Sequence, residues 1–529
     1  MVRLWPGVLA LALLASTVAA ALGALLSAAP DIDLGGLAED RYLRRVVAFT
    51  FWQALLSTVL SAGLAIPVAR ALARREGLPG RAWLLKLVGL PLVVPSIVAV
   101  FGIVAVYGRS GWINDFASLL GAPRWENLYG LSGILLAHVF FNLPLAVRLL
   151  LPLWSAVPGE TWRLAAQLGM GSGAIWRLIE WPLLRQALPG VAGLVFMLCF
   201  TSFAVVLTLG GGPAASTVEV AIYQSLRFEF DPARAVFLAL LELGYCALLV
   251  GVGQRFVMAM PSEITPGRSH ARPDTGGRSG RMADALLVAA CTLFVALPLA
   301  AVVIAGLAGP VGKVLSDSLF WACAARSLVI ALCAAPLALV LAWSLLAMCR
   351  RLRLRHARPG WADGVELSGS LIIVVPPIVL GTGFFILLSP HIDVYTAGPP
   401  LVVLVNALMG VPYVLRVLGP LHRQMSARYE HLCENLGLRG MSRLRLVEVP
   451  LLRRPLGLAL GLCAAISVGD LGVIALFGTH DNATLPLYLY QKMASYRMDE
   501  AAVIALFLIL LCLGLFATLE RAVGGRARC

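Results

Sequence analysis

The chain has 529 residues, of which 60% are hydrophobic and 13% charged, with a mean hydropathy of +0.87. Soluble globular chains are about half apolar and about a quarter charged, so a soluble enzyme is excluded as a class. The net charge of +14 is carried almost wholly by arginine, since Lys86, Lys313 and Lys492 are the only lysines. These arginines fall in short stretches between apolar runs, not on one soluble face, which argues for membrane orientation and against a nucleic-acid partner.

A membrane span takes about 20 apolar residues, and twelve such runs follow in chain order. They are predicted near 5–28, 49–72, 84–108, 131–152, 187–209, 234–260, 284–308, 319–347, 366–389, 400–420, 456–477 and 501–520. The predicted fold is all-α and integral to the membrane. The first run also has the features of a secretory signal: Arg3, an apolar stretch, and small residues at Ala19–Ala21 and Ala28–Ala29. Retained or removed, it leaves residue 30 on the outer side. The ten cysteines form no CxxC pair or zinc spacing, and most lie inside apolar runs, so neither a disulfide framework nor a metal site is expected.

Arginine sets the orientation. The even-numbered loops hold Arg70, Arg74, Arg75 and Arg81, then Arg163, Arg177 and Arg185, then Arg268, Arg272, Arg278 and Arg281. The pattern continues with Arg350, Arg351, Arg353, Arg355 and Arg358, then Arg423, Arg428, Arg439, Arg443, Arg445, Arg453 and Arg454. The odd-numbered loops are poor in basic residues and rich in acids such as Glu39, Asp40, Glu229, Asp231 and Asp499. Positive loops stay in the cytoplasm, so both termini are expected inside a bacterial inner membrane.

The chain repeats itself. RLLLPL at Arg148, LAAQLG ending at Gly169 and RLIEWPLLR from Arg177 answer RVLGPL at Arg416, LCENLG ending at Gly437 and RLRLVEVPLLR from Arg443. The differences 416−148, 437−169, 448−180 and 450−182 are all 268. Phe51-Trp52 further answers Phe320-Trp321, VPSIV at Val94 answers VPPIV at Val375, and Asp231 answers Asp499. Residues 1–260 and 284–529 therefore read as two parallel six-helix repeats, joined by a polar linker at 261–283 rich in Pro, Gly, Ser and Arg.

Each repeat has a loop, at about 153–186 and 421–454, that reads as two short amphipathic helices broken at a glycine. In the first, Leu164, Ala165 and Leu168 are expected on one face, Gly169 makes a left-handed turn, Ile175, Leu178 and Ile179 resume the pattern, and Pro182 opens the next helix. Leu432, Leu436, Gly437, Leu444, Val447 and Pro450 take these roles in the second. Interfacial helices lying on the membrane are one reading. A module presenting a short rigid helix to a soluble partner is the other, favoured because the glycine and proline recur at one spacing in both loops.

The frame resembles the Glu-Ala-Ala loop of permease subunits of bacterial ATP-binding-cassette importers. Gly169 and Gly437 match that pattern, and Ile179-Glu180-Trp181-Pro182 and Val447-Glu448-Val449-Pro450 approach its ending. Arg163-Leu164-Ala165 and His431-Leu432-Cys433 stand where the acidic start would be. As a whole the chain is similar to the fused two-repeat permeases of the ferric-iron and thiamine importers. The runs VAVFGIVAVYGRSGW from Val98, FMLCFTSFAVVLTLGGGP from Phe196 and ISVGDLGVIALFG from Ile466 resemble the thiamine branch, which includes carriers of thiamine pyrophosphate. The resemblance implies two copies of a cytoplasmic ATPase using ATP and Mg, a periplasmic substrate-binding protein, and coupling through Gly169, Glu180, Pro182, Gly437, Glu448 and Pro450.

No catalytic residues are expected. A GxxxxGK[ST] phosphate loop is missing, because Gly312-Lys313 runs into Val314, and the chain is expected to bind no cofactor or metal itself. Asp470, an acid inside a span, either pairs with an arginine or a backbone amide near Gly469 and Gly472, or recognises a cation. Glu242 has the same ambiguity. His138 and Asn142, one turn apart, fit helix–helix hydrogen bonding or a substrate pathway, and Tyr413 with Phe140, Phe141, Phe384 and Phe385 fits packing or a cation-binding environment. An importer permease is the leading reading; a ferric-iron importer permease and a secondary transporter of two six-helix halves are the alternatives.

Overall fold

Apolar segments in lipid have no water for their amides, so each must close its hydrogen bonds within an α-helix. That is the architecture of the computed structural model, which describes residues 4–28, 34–75, 77, 80–125, 127–254, 272–275, 277–479 and 481–525. Before the linker come α1 (Trp5–Ala28), α2 (Arg41–Arg74), α3 (Ser96–Tyr107), α4 (Leu131–Ser155), α5 (Gly159–Gln167), α6 (Trp181–Phe200), α7 (Phe203–Leu209), α8 (Val218–Arg227) and α9 (Pro232–Gln254). After it come α10 (Arg278–Ala308), α11 (Ser318–Leu354), α12 (Pro359–Leu371), α13 (Pro377–Leu388) and α14 (Gly398–Asn435). The chain ends with α15 (Val449–Val468), α16 (Gly472–Phe477), α17 (Leu485–Ala494) and α18 (Met498–Gly524).

Among the described residues eleven helices are long and apolar enough to cross a membrane. The predicted ninth span, 366–389, is two pieces: α12 stops at Leu371, Val375 is extended, and α13 has only 12 residues. The cause is Val375-Pro376-Pro377, since a proline pushes the residue before it out of the helical region. Val94-Pro95 delays the third span to Ser96 in the same way. The fifth and eleventh spans, 187–209 and 456–477, break at Thr201–Ser202 and Gly469–Leu471 into α6 with α7 and α15 with α16. Of the predicted linker, residues 261–271 and 276 lie outside the described residues, and α10 already begins at Arg278.

The first helix of each half packs on the other half. α1 lies against α11 and α13, and α10 lies against α2 and α3 as well as α18 of its own half. Backbones meet at both crossings: a Cβ on Gly383 would collide with the Ala21 carbonyl, and one on Gly102 with the Pro298 carbonyl. Small residues permit this contact where lipid gives helices no hydrophobic drive to associate.

The repeat's register differs at one place from the sequence reading. Thr50 Oγ1 accepts from the Val218 amide at 3.1 Å, and Ser327 Oγ accepts from the Leu485 amide at 2.8 Å, so each hydroxyl supports the start of a short helix. Asp40 and Asp317 cap α2 and α11 through the amides two residues on. Both pairs differ by 277 (327−50 and 317−40), whereas Phe51 and Phe320 differ by 269. The Phe-Trp match is thus eight residues (277−269) out of structural register. Aromatic pairs recur in apolar runs and mark register poorly; hydrogen-bonded caps mark it well.

Candidate functional site

The two glycine loops share one construction. α5 ends in a turn in which Met170 N–H donates to Ala165 C=O at 2.9 Å, with Gly169 at φ +62°. α14 ends with Leu438 N–H donating to Cys433 C=O at 2.8 Å and Gly437 at φ +65°. This closure satisfies the orphan carbonyls of a helix end and needs a left-handed residue, which explains both glycines. A short helix follows in each loop, then a π-helical turn at Trp176–Glu180 and Leu444–Glu448, then α6 and α15 with Pro182 and Pro450 in their first turns. Sequence periodicity carries no signal for a π turn, so those turns went unforeseen.

The halves differ at the loop entrance. Val157-Pro158 separates α5 from α4, whereas the equivalent Met425-Ser426 lets α14 run unbroken to Asn435. The second loop's first helix is therefore a rigid extension of a transmembrane helix, not a separate short helix as expected. The faces are also reassigned. Leu164 and Leu168 point to solvent while Ala165 is buried with Trp162 and Ile175, so the leucines and the alanine do not share a face. Leu164, Leu168, Leu178 and Trp181 are exposed, and so are Leu432, Leu436, Leu446 and Val449, each pair 268 apart.

Glu180 and Glu448 are turned inward. Glu180 accepts from Arg70 Nε at 2.7 Å, Arg272 at 2.6 Å and Trp154 Nε1 at 2.9 Å. Glu448 accepts from Arg443 Nε at 2.9 Å and from Arg350. Arg70 and Arg350 stand on α2 and α11, so each carboxylate ties its loop to the helix bundle through charge-assisted bonds. Both carboxylates face the bundle, and the exposed surface belongs to the apolar side chains. Next to Glu180, Asp274 accepts from Arg272 Nε at 3.1 Å and Arg74 Nε at 3.0 Å. Burial alone would raise the Asp274 carboxyl, but the hydrogen bonds and charges of Arg272 and Arg74 outweigh it and hold the group below the usual carboxylate range.

The residues expected along a substrate path fall into separate groups. His138 Nδ1 meets Ser57 Oγ at 2.9 Å and Asn142 donates to Cys199 Sγ at 3.2 Å, so both join α2, α4 and α6 within the first half. Tyr413 is half-buried on α14 among packed apolar side chains. Asp470 sits in the break between α15 and α16, where Oδ1 accepts from the Gly472 amide at 3.2 Å and Oδ2 has no hydrogen-bond partner. Among the described residues Asp470 makes no ion pair, and the adjacent Gly469 approaches Pro95 of the other half. The equivalent break in the first half has Ser202. Glu219 and Glu242, buried on α8 and α9, also keep unpartnered oxygens.

Comparison with known proteins bears on this geometry. Residues 357–523 match the family model "Binding-protein-dependent transport system inner membrane component". Over 526 residues the chain is 46% identical to the thiamine transport system permease protein ThiP of Brucella abortus (strain 2308), covering 98% of this chain and 95% of that one. It is 47% identical over 519 residues to the protein of that name from Escherichia coli (strain K12), with 98% and 96% covered. A shorter match, 33% over 206 residues, is to the molybdenum transport system permease protein ModB of Mycobacterium bovis, covering 38% of this chain and 75% of that one. The chain belongs to the family of binding-protein-dependent inner-membrane transport permeases.

Proposed function

We propose that the chain is the membrane subunit of an ATP-driven importer carrying thiamine or its phosphates into the cytoplasm. The observation that carries this reading is the pair of solvent-facing apolar stripes on the glycine loops: Leu164, Leu168, Leu178 and Trp181, matched by Leu432, Leu436, Leu446 and Val449. Two equivalent apolar faces on rigid helices suit two copies of one ATPase subunit, each docking a helix in a groove. ATP and Mg are bound by that partner, and this chain supplies no cofactor site. The arginine-rich loops, both termini and the docking faces lie in the cytoplasm, and a periplasmic binding protein delivers substrate to the opposite side.

The transport cycle follows from the connections. Closure of the two ATPases moves α5 and the end of α14. Glu180 and Glu448 pass the displacement to α2 and α11 through Arg70 and Arg350. Because α1 packs on the second half and α10 spans both halves, the halves rock as coupled bodies around the seam where Asp470 lies. Thiamine has a permanent positive charge, and the unpartnered Asp470 oxygen beside a glycine break is placed to offset its desolvation. The test is reconstitution in vesicles with ATPase and binding protein. ATP-dependent accumulation of labelled thiamine, competed by its phosphates, is expected. Uptake of ferric citrate in its place, or thiamine uptake driven by a proton gradient without ATPase, would overturn the reading.

A further inference from the structure

We infer that the turn Arg272–Thr275, in the linker between the halves, is a working part of the first half's loop: a latch whose Arg272 gives Glu180 the guanidinium that Glu448 receives from within its own loop. In the second loop Arg443 donates to Glu448 and pairs with Glu430 at 2.6 Å. Subtracting 268 places Ile175 and Trp162 at the equivalent positions in the first loop, so that loop has neither the arginine nor the acid. Arg272 fills the gap from outside. Its NH2 lies 2.6 Å from Glu180 Oε1, and its guanidinium stands 4.4 Å from the centroid of the Trp162 ring. Trp162 thus faces the cation as Glu430 does, by its π face in place of a carboxylate.

The latch is fixed at both ends. Asp274 takes Arg272 and Arg74 together, Arg75 donates to Thr275 C=O at 2.9 Å, and Arg75 pairs with Asp284 on α10 at 3.0 Å. A displacement of the first loop therefore reaches α10 directly, and α10 belongs to the second half in sequence. The second loop needs no such device because α14 is continuous with its first helix. Breaking the helix at Pro158 and borrowing an anchor from the linker are two sides of one asymmetry. Arg272 is a positioning residue, and the inference rests on the docking reading above.

The test uses the full chain with its ATPase and binding protein in vesicles, comparing Arg272→Gln with wild type. Thiamine moved per ATP hydrolysed is expected to fall by about fivefold or more, as when a buried carboxylate loses one charge-assisted partner. Co-purification of the ATPase should persist. Amide exchange across 159–180 should rise about tenfold while 430–448 stays unchanged, and Arg443→Gln should give the mirror result. Transplanting the second loop's pair, Trp162→Glu with Ile175→Arg, into Arg272→Gln should restore both readouts, and it also serves if Arg272→Gln alone accumulates poorly. Unchanged exchange at 159–180, or a transplant that restores nothing, would overturn the latch. Exchange is read without transport, so failure of the docking reading would show separately, as loss of co-purification sensitivity to Leu168→Asp and Leu436→Asp.

Discussion

Gly383 on α13 lies directly against the backbone carbonyl of Ala21 on α1, and Gly102 repeats the contact against Pro298 on α10. Each half is thereby clasped by the other's first helix. Valine at either glycine is expected to force the helices apart, at about 1–3 kcal/mol for overpacking. A lower melting temperature of the purified protein in detergent is the measurement. Gly23→Val, where a Cβ meets nothing, is the control and should be silent.

The same clasp decides the fate of the first segment. Removing Trp5–Ala28 would uncover the faces of α11 and α13 on which α1 packs. We expect the mature protein to keep this helix despite its signal-like sequence. An amino-terminal sequence that begins after residue 28 would refute this.

Gly169→Val and Gly437→Val place a branched residue at φ +62° and +65°, conformations costing L residues about 1–2 kcal/mol. Both proteins should insert normally and hydrolyse ATP with their partner while losing thiamine uptake. The Gly437 defect should be larger, because α14 is one rod and cannot absorb the strain that the break at Pro158 lets the first loop take up. Uptake and hydrolysis measured together give the answer.

Asp470→Asn keeps the hydrogen-bonding oxygen that meets the Gly472 amide and removes only the charge. Thiamine uptake should fall at least about tenfold, the scale of roughly 1.4 kcal/mol lost from a charged contact, with normal protein level. Wild-type uptake by this variant would remove Asp470 from the pathway.

The latch should depend on pH in one direction. The folded Asp274 pKa is depressed, so its stabilisation is fully present above the ordinary carboxylate range and is lost as pH falls through the depressed value. The protection of amides at 159–180, taken relative to their intrinsic exchange rate at each pH, should be flat from neutral pH down to the ordinary carboxylate range and fall below it. Asp274→Asn should show the faster exchange already at neutral pH.

The sequence alone determined the features that local chemistry dictates. Long uncharged apolar runs must be helices in lipid, and a 268-residue register through charged segments marks the repeat from Arg148 to Pro450. Gly169 and Gly437 were legible because only one backbone conformation closes those helix ends. Contacts between distant segments were not legible, since nothing local specifies them. Leu164 and Ala165 were assigned to one face because periodicity gives relative angle but not which side meets the bundle. The anchoring of Glu180 is not legible locally because its arginines, Arg70 and Arg272, lie 110 and 92 residues away. The crossings of α1 and α10 onto the other half, the orphaned Asp470 oxygen and the linker latch are decided where separate helices meet, and only the tertiary structure brings those residues together.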